Sequence, residues 1–238
     1  MSDETGSRMK WISIIPMRAG SKGLPNKNVR PILGKPLYRY SVDTALSAGT
    51  ECIYISTNIA QVLSAPKEAK IKVLKRPDEL CTDEAKMSAV ILNLLTSRKG
   101  IEIDDNRIIV LMQPTSPLRS KTDLLSALEQ FSISDNVDLL MAVTETKNTS
   151  LKYGFVDNGR FRHISTPEFC FENRQNLPKL YRPTGAFYIF KAGWYRTNKS
   201  LATTSTVAYE MPNNRSLDID SLEDVERVEE ILKSEKGK

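Results

Sequence analysis

Histidine is nearly absent from this chain. His163 is the only one in 238 residues, and a lone histidine among the polar residues Arg160 and Arg162 reads as a surface residue rather than a catalyst. A Ser-His-Asp or Cys-His catalytic apparatus is therefore not expected. Cysteine is equally scarce. The three cysteines (Cys52, Cys81 and Cys170) show no paired metal spacing and leave an odd thiol, which points to a reducing, cytoplasmic setting. Cys52 opens an apolar run and reads as core. No apolar run reaches the ~18 residues needed to cross a membrane, so no membrane partner is expected. Met1 to Arg8 is polar and has no apolar stretch of signal-peptide type. Residues 1–9 read as a disordered leader, with 10–238 as a single domain. Blocks of like charge are missing, which argues against a nucleic-acid-binding tail. Internal repeats, heptads and low-complexity tracts are missing too.

What is present is an ordinary globular composition, 40% hydrophobic and 26% charged, with a net charge of +5. The pI near 9.0 favours anionic partners. Short apolar runs at 11–15, 51–57, 71–74, 107–112 and 138–143 alternate with helical patterns at 36–48, 59–69, 85–98 and 122–131. That alternation predicts a doubly wound, mostly parallel α/β sheet covered on both faces. Ligands of such sheets lie at the carboxyl ends of the strands. From Thr144 to Pro183 the alternation fails, and cations and aromatics mix without period; this stretch is expected to be an excursion with its own task. Strand patterns return at 185–190 and 206–209, followed by an amphipathic helix through Val225, Val228, Ile231 and Leu232.

Two places could carry chemistry. The apolar run ending at Pro16 opens into a loop with Arg18, Gly20, Ser21, Lys22, Gly23, Lys27, Asn28 and Arg30. Glycines let backbone N–H groups approach an anion, and the cations suit phosphates. The Walker spacing and the Gly-x-Gly-x-x-Gly pattern are both missing, so composition alone is equally compatible with a solvated basic loop. Near the other end, Asp218 and Asp220 flank Ile219. In an extended backbone both carboxylates face one side, as hard oxygen ligands for Mg²⁺ would; start-of-helix chemistry is the alternative reading. Ser221 and Asp224 already have capping-box spacing there, as do Ser120 and Asp123 earlier in the chain. The aromatics Tyr181, Phe187, Tyr188, Trp194 and Tyr195 read as core rather than as stacking surfaces for bases. With no histidine to use, the chemistry left is charge neutralisation and positioning, as in phosphoryl and nucleotidyl transfer.

Taken together these residues resemble the acylneuraminate (CMP-sialic acid) cytidylyltransferases. The opening loop matches the family pattern at Arg18, Ser21, Lys22, Pro25, Lys27 and Asn28. Further marks follow in order: Arg76-Pro77 with Glu79, Leu80 and Asp83; Leu111 with Gln113 through Arg119; Arg174-Gln175 with Leu177-Pro178; Arg182-Pro183 with Gly185, Ala186, Tyr188 and Ile189; and Asp218-Ile219-Asp220. The likeness covers the chain from Trp11 to Leu232.

The resemblance implies a Rossmann-like nucleotidyltransferase fold with a dimerisation arm inserted after the fifth strand, at 144–183. It implies transfer of CMP from CTP to the anomeric hydroxyl of a 2-keto-3-deoxy nonulosonic acid, with release of pyrophosphate and dependence on Mg²⁺. By that likeness Arg18, Lys22 and Asp220 are catalytic. Arg18, Ser21, Lys22 and Lys27 hold the triphosphate, Asn28 meets the ribose, and Arg76 with the Ala85 backbone meets the cytosine. Gln113 and Tyr188 are assigned to the sugar acid, joined by Lys152 and Arg174 from the arm of a second subunit in a homodimer with shared sites. Asp218 and Asp220 hold the metal. No general base is visible, so metal-assisted deprotonation is the expectation. Met17, Asn58, Met87 and Thr184 depart from the family pattern. Legionaminic and pseudaminic acids are alternative substrates, the eight-carbon acid Kdo a lower-ranked one. A nucleotide- or RNA-binding regulator on the same fold is the reading from another class. A sugar-1-phosphate-activating enzyme is disfavoured, because its Gly-rich, Arg-containing loop is missing.

Overall fold

The computed structural model describes residues 9–21, 23–96 and 102–236. The expected leader therefore lies outside the described residues, except Met9. The first strand, β1 (Trp11–Pro16), has all six residues buried, as a strand with neighbours on both sides and helices on both faces must. A two-strand ribbon follows, β2 (Pro31–Ile32) and β3 (Lys35–Pro36), and then α1 (Leu37–Ala48). Next come β4 (Ile53–Thr57), α2 (Ala60–Leu63), β5 (Ile71–Lys75), α3 (Met87–Leu95), β6 (Ile108–Leu111) and α4 (Lys121–Ile133). The second half comprises β7 (Leu139–Thr146), β8 (Gly154–Asp157), β9 (Arg160–His163), β10 (Leu180–Lys191), α5 (Ala192–Asn198), β11 (Thr206–Glu210) and α6 (Leu222–Lys236).

Seven strands form one sheet in the order β11-β7-β10-β6-β1-β4-β5. β10 runs antiparallel to β6 and β7, and the other pairings are parallel. One face packs on Val42, Ala45, Leu124, Leu128 and Phe131 of α1 and α4. The other packs on Ile91, Leu94 and Leu95 of α3 and on Tyr195 of α5. A third apolar cluster joins Leu24, Ile32, Leu37, Leu118 and Ile219 to Val225 and Val228 of α6. It anchors the loop after β1 to the last helix.

Several sequence expectations change here. The helix expected over 59–69 is a single turn, because Pro66 disfavours helical geometry at Ala65. The helix expected over 85–98 begins at Met87 and ends at Leu95. The strand expected from 185 begins at Leu180, and β7 runs on to Thr146. Thr144–Thr146 and Leu180–Arg182 pair in the sheet, although their polar side chains hide the strand pattern. The excursion that leaves the sheet is therefore 147–179, and it contains the β8–β9 hairpin. Both capping boxes form. Ser120 accepts from the Asp123 N–H at 3.0 Å, and Ser221 accepts from the Asp224 N–H at 3.2 Å.

Candidate active site

A cavity of about 300 Å³ opens where β1, β5 and β6 end. Its lining comes from four separate stretches of chain: the loop after β1, the segment 76–90, the loop after β6, and the segment before α6. A larger cavity of about 560 Å³ lies between α1 and the edge strand β5. Its wall is mainly apolar, with the Arg39–Glu68 ion pair beside it, and it holds none of the residues singled out above.

The loop after β1 is held by side chains from elsewhere. The Ala19 N–H donates to Asn58 Oδ1 at 2.8 Å, and Asn28 Nδ2 donates to the Arg18 carbonyl at 3.1 Å. Asn28 is buried, and it lines the cavity with Arg18, Ser21 and Lys27. Lys22 lies outside the described residues. Gly23 has its Cα against the last segment, so that a Cβ there would stand 2.9 Å from the Asp220 carbonyl oxygen. A side chain at this position would push the cationic loop off the carboxylates. Arg18 pairs with Asp83, a residue of the segment facing it.

Arg76 is buried beneath the segment 77–87. Its Nε donates to Ser56 Oγ at 3.2 Å and its Nη2 to the Ser56 carbonyl at 2.9 Å. Burial lowers its pKa from the usual arginine value, and the nearby Arg18 charge adds to this against Cys81. Leu80, Ala85, Met87 and Val90 stand in the same wall, and they make an apolar slot beside a guanidinium. The Ala85 N–H already reaches the Thr82 carbonyl, at 3.4 Å.

The Ile219 N–H donates to the Thr115 carbonyl at 2.8 Å, and the Ile219 side chain is fully buried. With Ile219 turned inward, Asp218 and Asp220 both line the cavity. Neither carboxylate caps α6, since Ser221 and Asp224 perform that task. Asp220 Oδ1 takes Lys27 Nζ at 2.8 Å. Asp218 accepts from Ser116 Oγ at 3.4 Å. Its carboxyl is pushed up, first by burial and then by the Asp220 charge, against the pull of Thr115, Ser116 and Lys27. A carboxylate that resists ionisation next to a second carboxylate is suited to a cation. Among the described residues no group of three or more acidic, histidine or cysteine side chains gathers as a complete metal cage. Two carboxylates are the donor set that Mg²⁺ uses when substrate phosphates supply the rest.

Gln113 follows β6 and lines the cavity, its side chain lying over Gly185 in the bulge of β10. Tyr188 is half-buried on β10, and its hydroxyl is pushed up by burial and by the Asp218 charge. It is not in the cavity wall. Lys152 and Arg174 stand in the 147–179 excursion, outside that wall, where Lys152 Nζ donates to the Glu172 carbonyl at 2.5 Å. Of the departures, Met87 enters the slot. Thr184 does not. Its Oγ1 donates to the Ala142 carbonyl at 3.2 Å inside the sheet, so it shapes the bulge rather than a ligand surface. The resemblance left Asn58, Asp83, Ser116 and Arg119 without a role; each is joined to the site by a contact with a residue distant in sequence, which residue type alone does not show.

The family model described as cytidylyltransferase matches residues 12–236. An N-acylneuraminate cytidylyltransferase of Streptococcus agalactiae serotype V is 36% identical over 220 residues, covering 91% of this chain and 52% of the relative. This chain thus spans about half the length of that relative. The pseudaminic acid cytidylyltransferase of Campylobacter jejuni subsp. jejuni serotype O:2 is 28% identical, covering 92% of this chain and 94% of its own. Among solved structures, CMP:2-keto-3-deoxy-manno-octonic acid synthetase complexed with CTP superposes with a TM-score of 0.66 at 15% identity, covering 95% of this chain and 99% of that one. That likeness shows a shared nucleotidyltransferase fold. The matched model spans nearly the whole sheet and every wall of the cavity, and the chain belongs to the cytidylyltransferase family.

Proposed function

We propose that this protein transfers CMP from CTP to the anomeric hydroxyl of a nonulosonic acid, in a Mg²⁺-dependent reaction that releases pyrophosphate. The observation that carries the reading is the convergence of the cationic loop and the carboxylate pair on one cavity, through Lys27 and Asp220. Arg18, Ser21 and Lys27 would bind the triphosphate, with Lys22 completing the loop, as the family resemblance implies. Asn28 would meet the ribose. Arg76 and the slot at Ala85 and Met87 would take the base.

The sugar hydroxyl gives up its proton to solvent and attacks the α-phosphorus, forming a new P–O bond while the bond from the α-phosphorus to the oxygen bridging to the β-phosphate breaks and pyrophosphate leaves. Charge builds on the phosphate oxygens as this happens, and fixed cations around them lower the barrier. Mg²⁺, held by Asp218 and Asp220, would supply further neutralisation and acidify the attacking hydroxyl. Gln113 would orient the sugar acid from the cavity wall.

The excursion 147–179 supports a homodimer. It exposes Tyr153, Phe155, Val156, Phe161, Ile164 and Phe171, the last 90% exposed. Apolar side chains concentrated on one projecting arm mark a surface that another chain covers. A second copy would bring Lys152 and Arg174 towards the neighbouring cavity, where Arg can make a bidentate pair with the carboxylate of the sugar acid.

The test is incubation with CTP, Mg²⁺ and, separately, N-acetylneuraminic, legionaminic and pseudaminic acids and Kdo, with pyrophosphate release as the readout. Release with a nine-carbon acid and little with Kdo is expected. No release with any nonulosonic acid would overturn the proposal.

A further inference from the structure

We infer that Arg119 is a positioning residue for Gln113, fixing that side chain over Gly185. The inference rests on the functional reading above for the identity of the ligand, though not for the geometry. Arg119 is 3% exposed, an uncomfortable position for a cation. Burial pushes its pKa down to about 9 against the pull of Asp218. Its Nε has no hydrogen-bond partner. A loop that needed only packing would be served by a leucine or a methionine.

The contacts show what the charge does. Arg119 Nη1 donates to Ser41 Oγ of α1 at 2.6 Å, and Nη2 donates to the Gln113 carbonyl. The same carbonyl accepts from Ser41 Oγ at 3.4 Å and from the Ser116 N–H at 3.5 Å. Three donors therefore converge on one carbonyl oxygen at the carboxyl end of β6. With the Gln113 backbone held in that orientation, its side chain is sent to the cavity side. There it meets Gly185 so closely that a Cβ on Gly185 would stand 2.5 Å from Gln113 Oε1. Gly185 has φ +74, the backbone region glycine tolerates best, so the bulge both permits the close approach and leaves the space for it. Arg119 at one end and Gly185 at the other hold Gln113 between them. Arg119 itself is absent from the cavity wall and acts through Gln113.

The experiment compares wild type with Arg119→Lys, Arg119→Met, Gln113→Ala, Gly185→Ala and the Arg119→Met/Gln113→Ala double variant. CTP binding is measured by calorimetry and steady-state kinetics with the sugar acid that wild type uses. Arg119→Met is expected to raise KM for the sugar acid about tenfold while CTP affinity stays within about threefold. In the Gln113→Ala background the same change is expected to add nothing, because its effect passes through that side chain. Gly185→Ala should reproduce the KM effect. Additive losses in the double variant, or an equal fall in CTP affinity, would overturn the inference.

A substrate-free measurement covers the case in which Arg119→Met fails to fold. The Gln113 side-chain amide is assigned in the ¹⁵N NMR spectrum by its loss in Gln113→Ala. A dispersed pair of signals that collapses in Arg119→Lys supports the inference, and a pair unmoved in Arg119→Lys overturns it. If wild type turns over no sugar acid, the functional reading falls while this measurement still decides the positioning role.

Discussion

Lys27 Nζ stands 2.8 Å from Asp220 Oδ1, joining the loop after β1 to the segment before α6 across almost the whole sequence. The Lys27 side chain is 12% exposed and that of Asp220 75%, so the pair borders on solvent and contributes no more than about 1 kcal/mol to stability. Lys27→Met is therefore expected to remain folded and to lose nucleotide binding. KM for CTP should rise by about two orders of magnitude, with a melting temperature within about 3 °C of wild type. A variant that binds CTP normally in calorimetry would remove Lys27 from the site.

Asp218 carries the opposite balance of stability and function. Its carboxyl is pushed up by burial and by Asp220, so the ionised form costs stability at every pH above its raised value. Asp218→Asn removes that cost while keeping the shape. At pH 7 this variant should melt at a higher temperature than wild type and release no pyrophosphate. A lower melting temperature would show that the ionised carboxylate stabilises the fold.

Arg18 is already engaged, since it pairs with Asp83 from the facing segment. A triphosphate has to draw Arg18 away from that carboxylate. Asp83→Asn removes the competing charge, and CTP should bind about threefold more tightly in calorimetry without the sugar acid. Weaker binding would mean that Asp83 orients Arg18 for the ligand instead of competing with it.

A structural ion pair at Asp123 should respond to acid. The carboxylate, 1% exposed as a residue, accepts from Ser120 N at 2.9 Å and from Arg215 Nε and Nη2 at 3.0 and 2.7 Å. Burial alone would raise this carboxyl, but the hydrogen bonds from Arg215 and Ser120 outweigh it and hold the pKa below the usual value. Asp123→Asn should cost about 2 kcal/mol at pH 7, seen in denaturant unfolding. For a lowered carboxyl the stabilisation is complete above the unfolded value of about 3.9 and disappears as the pH falls through the folded one. The gap between wild type and variant should therefore close in acid. A gap that stays constant to low pH would contradict the assignment.

The arm can be tested without any assay of turnover. Phe155→Asp with Phe171→Asp charges two of its exposed apolar side chains. Sedimentation velocity should show a dimer for wild type and a monomer for the variant at micromolar concentration. A wild-type monomer would leave the exposed arm with a different partner.

Much of this architecture could be read before any coordinates. The buried strands β1, β4 and β6 are continuous apolar runs because both faces of a central strand are covered. The capping boxes at Ser120 and Ser221 are visible because their partners sit three residues away. The loop at Arg18 and the pair at Asp218 stood out by residue type. What could not be read was anything decided by distant contacts. The periodicity of a full helix runs through α2, which ends before Pro66, and polar residues at the ends of β7 and β10 mask a ladder that extends past the core. Thr184, a departure from the family pattern, turns its hydroxyl into the sheet.

Spacing along the chain determined the alternating sheet, the cationic loop and the alternation around Ile219, because periodicity and short-range hydrogen bonding act within a few residues; the family came from the resemblance of the motifs. Only the tertiary structure decided that Lys27 meets Asp220, that Arg18 meets Asp83, and that Arg119 reaches under the loop to turn Gln113 over Gly185. Those contacts depend on how seven strands order themselves in one sheet, and strand order is a property of the packed core and not of any local stretch of sequence.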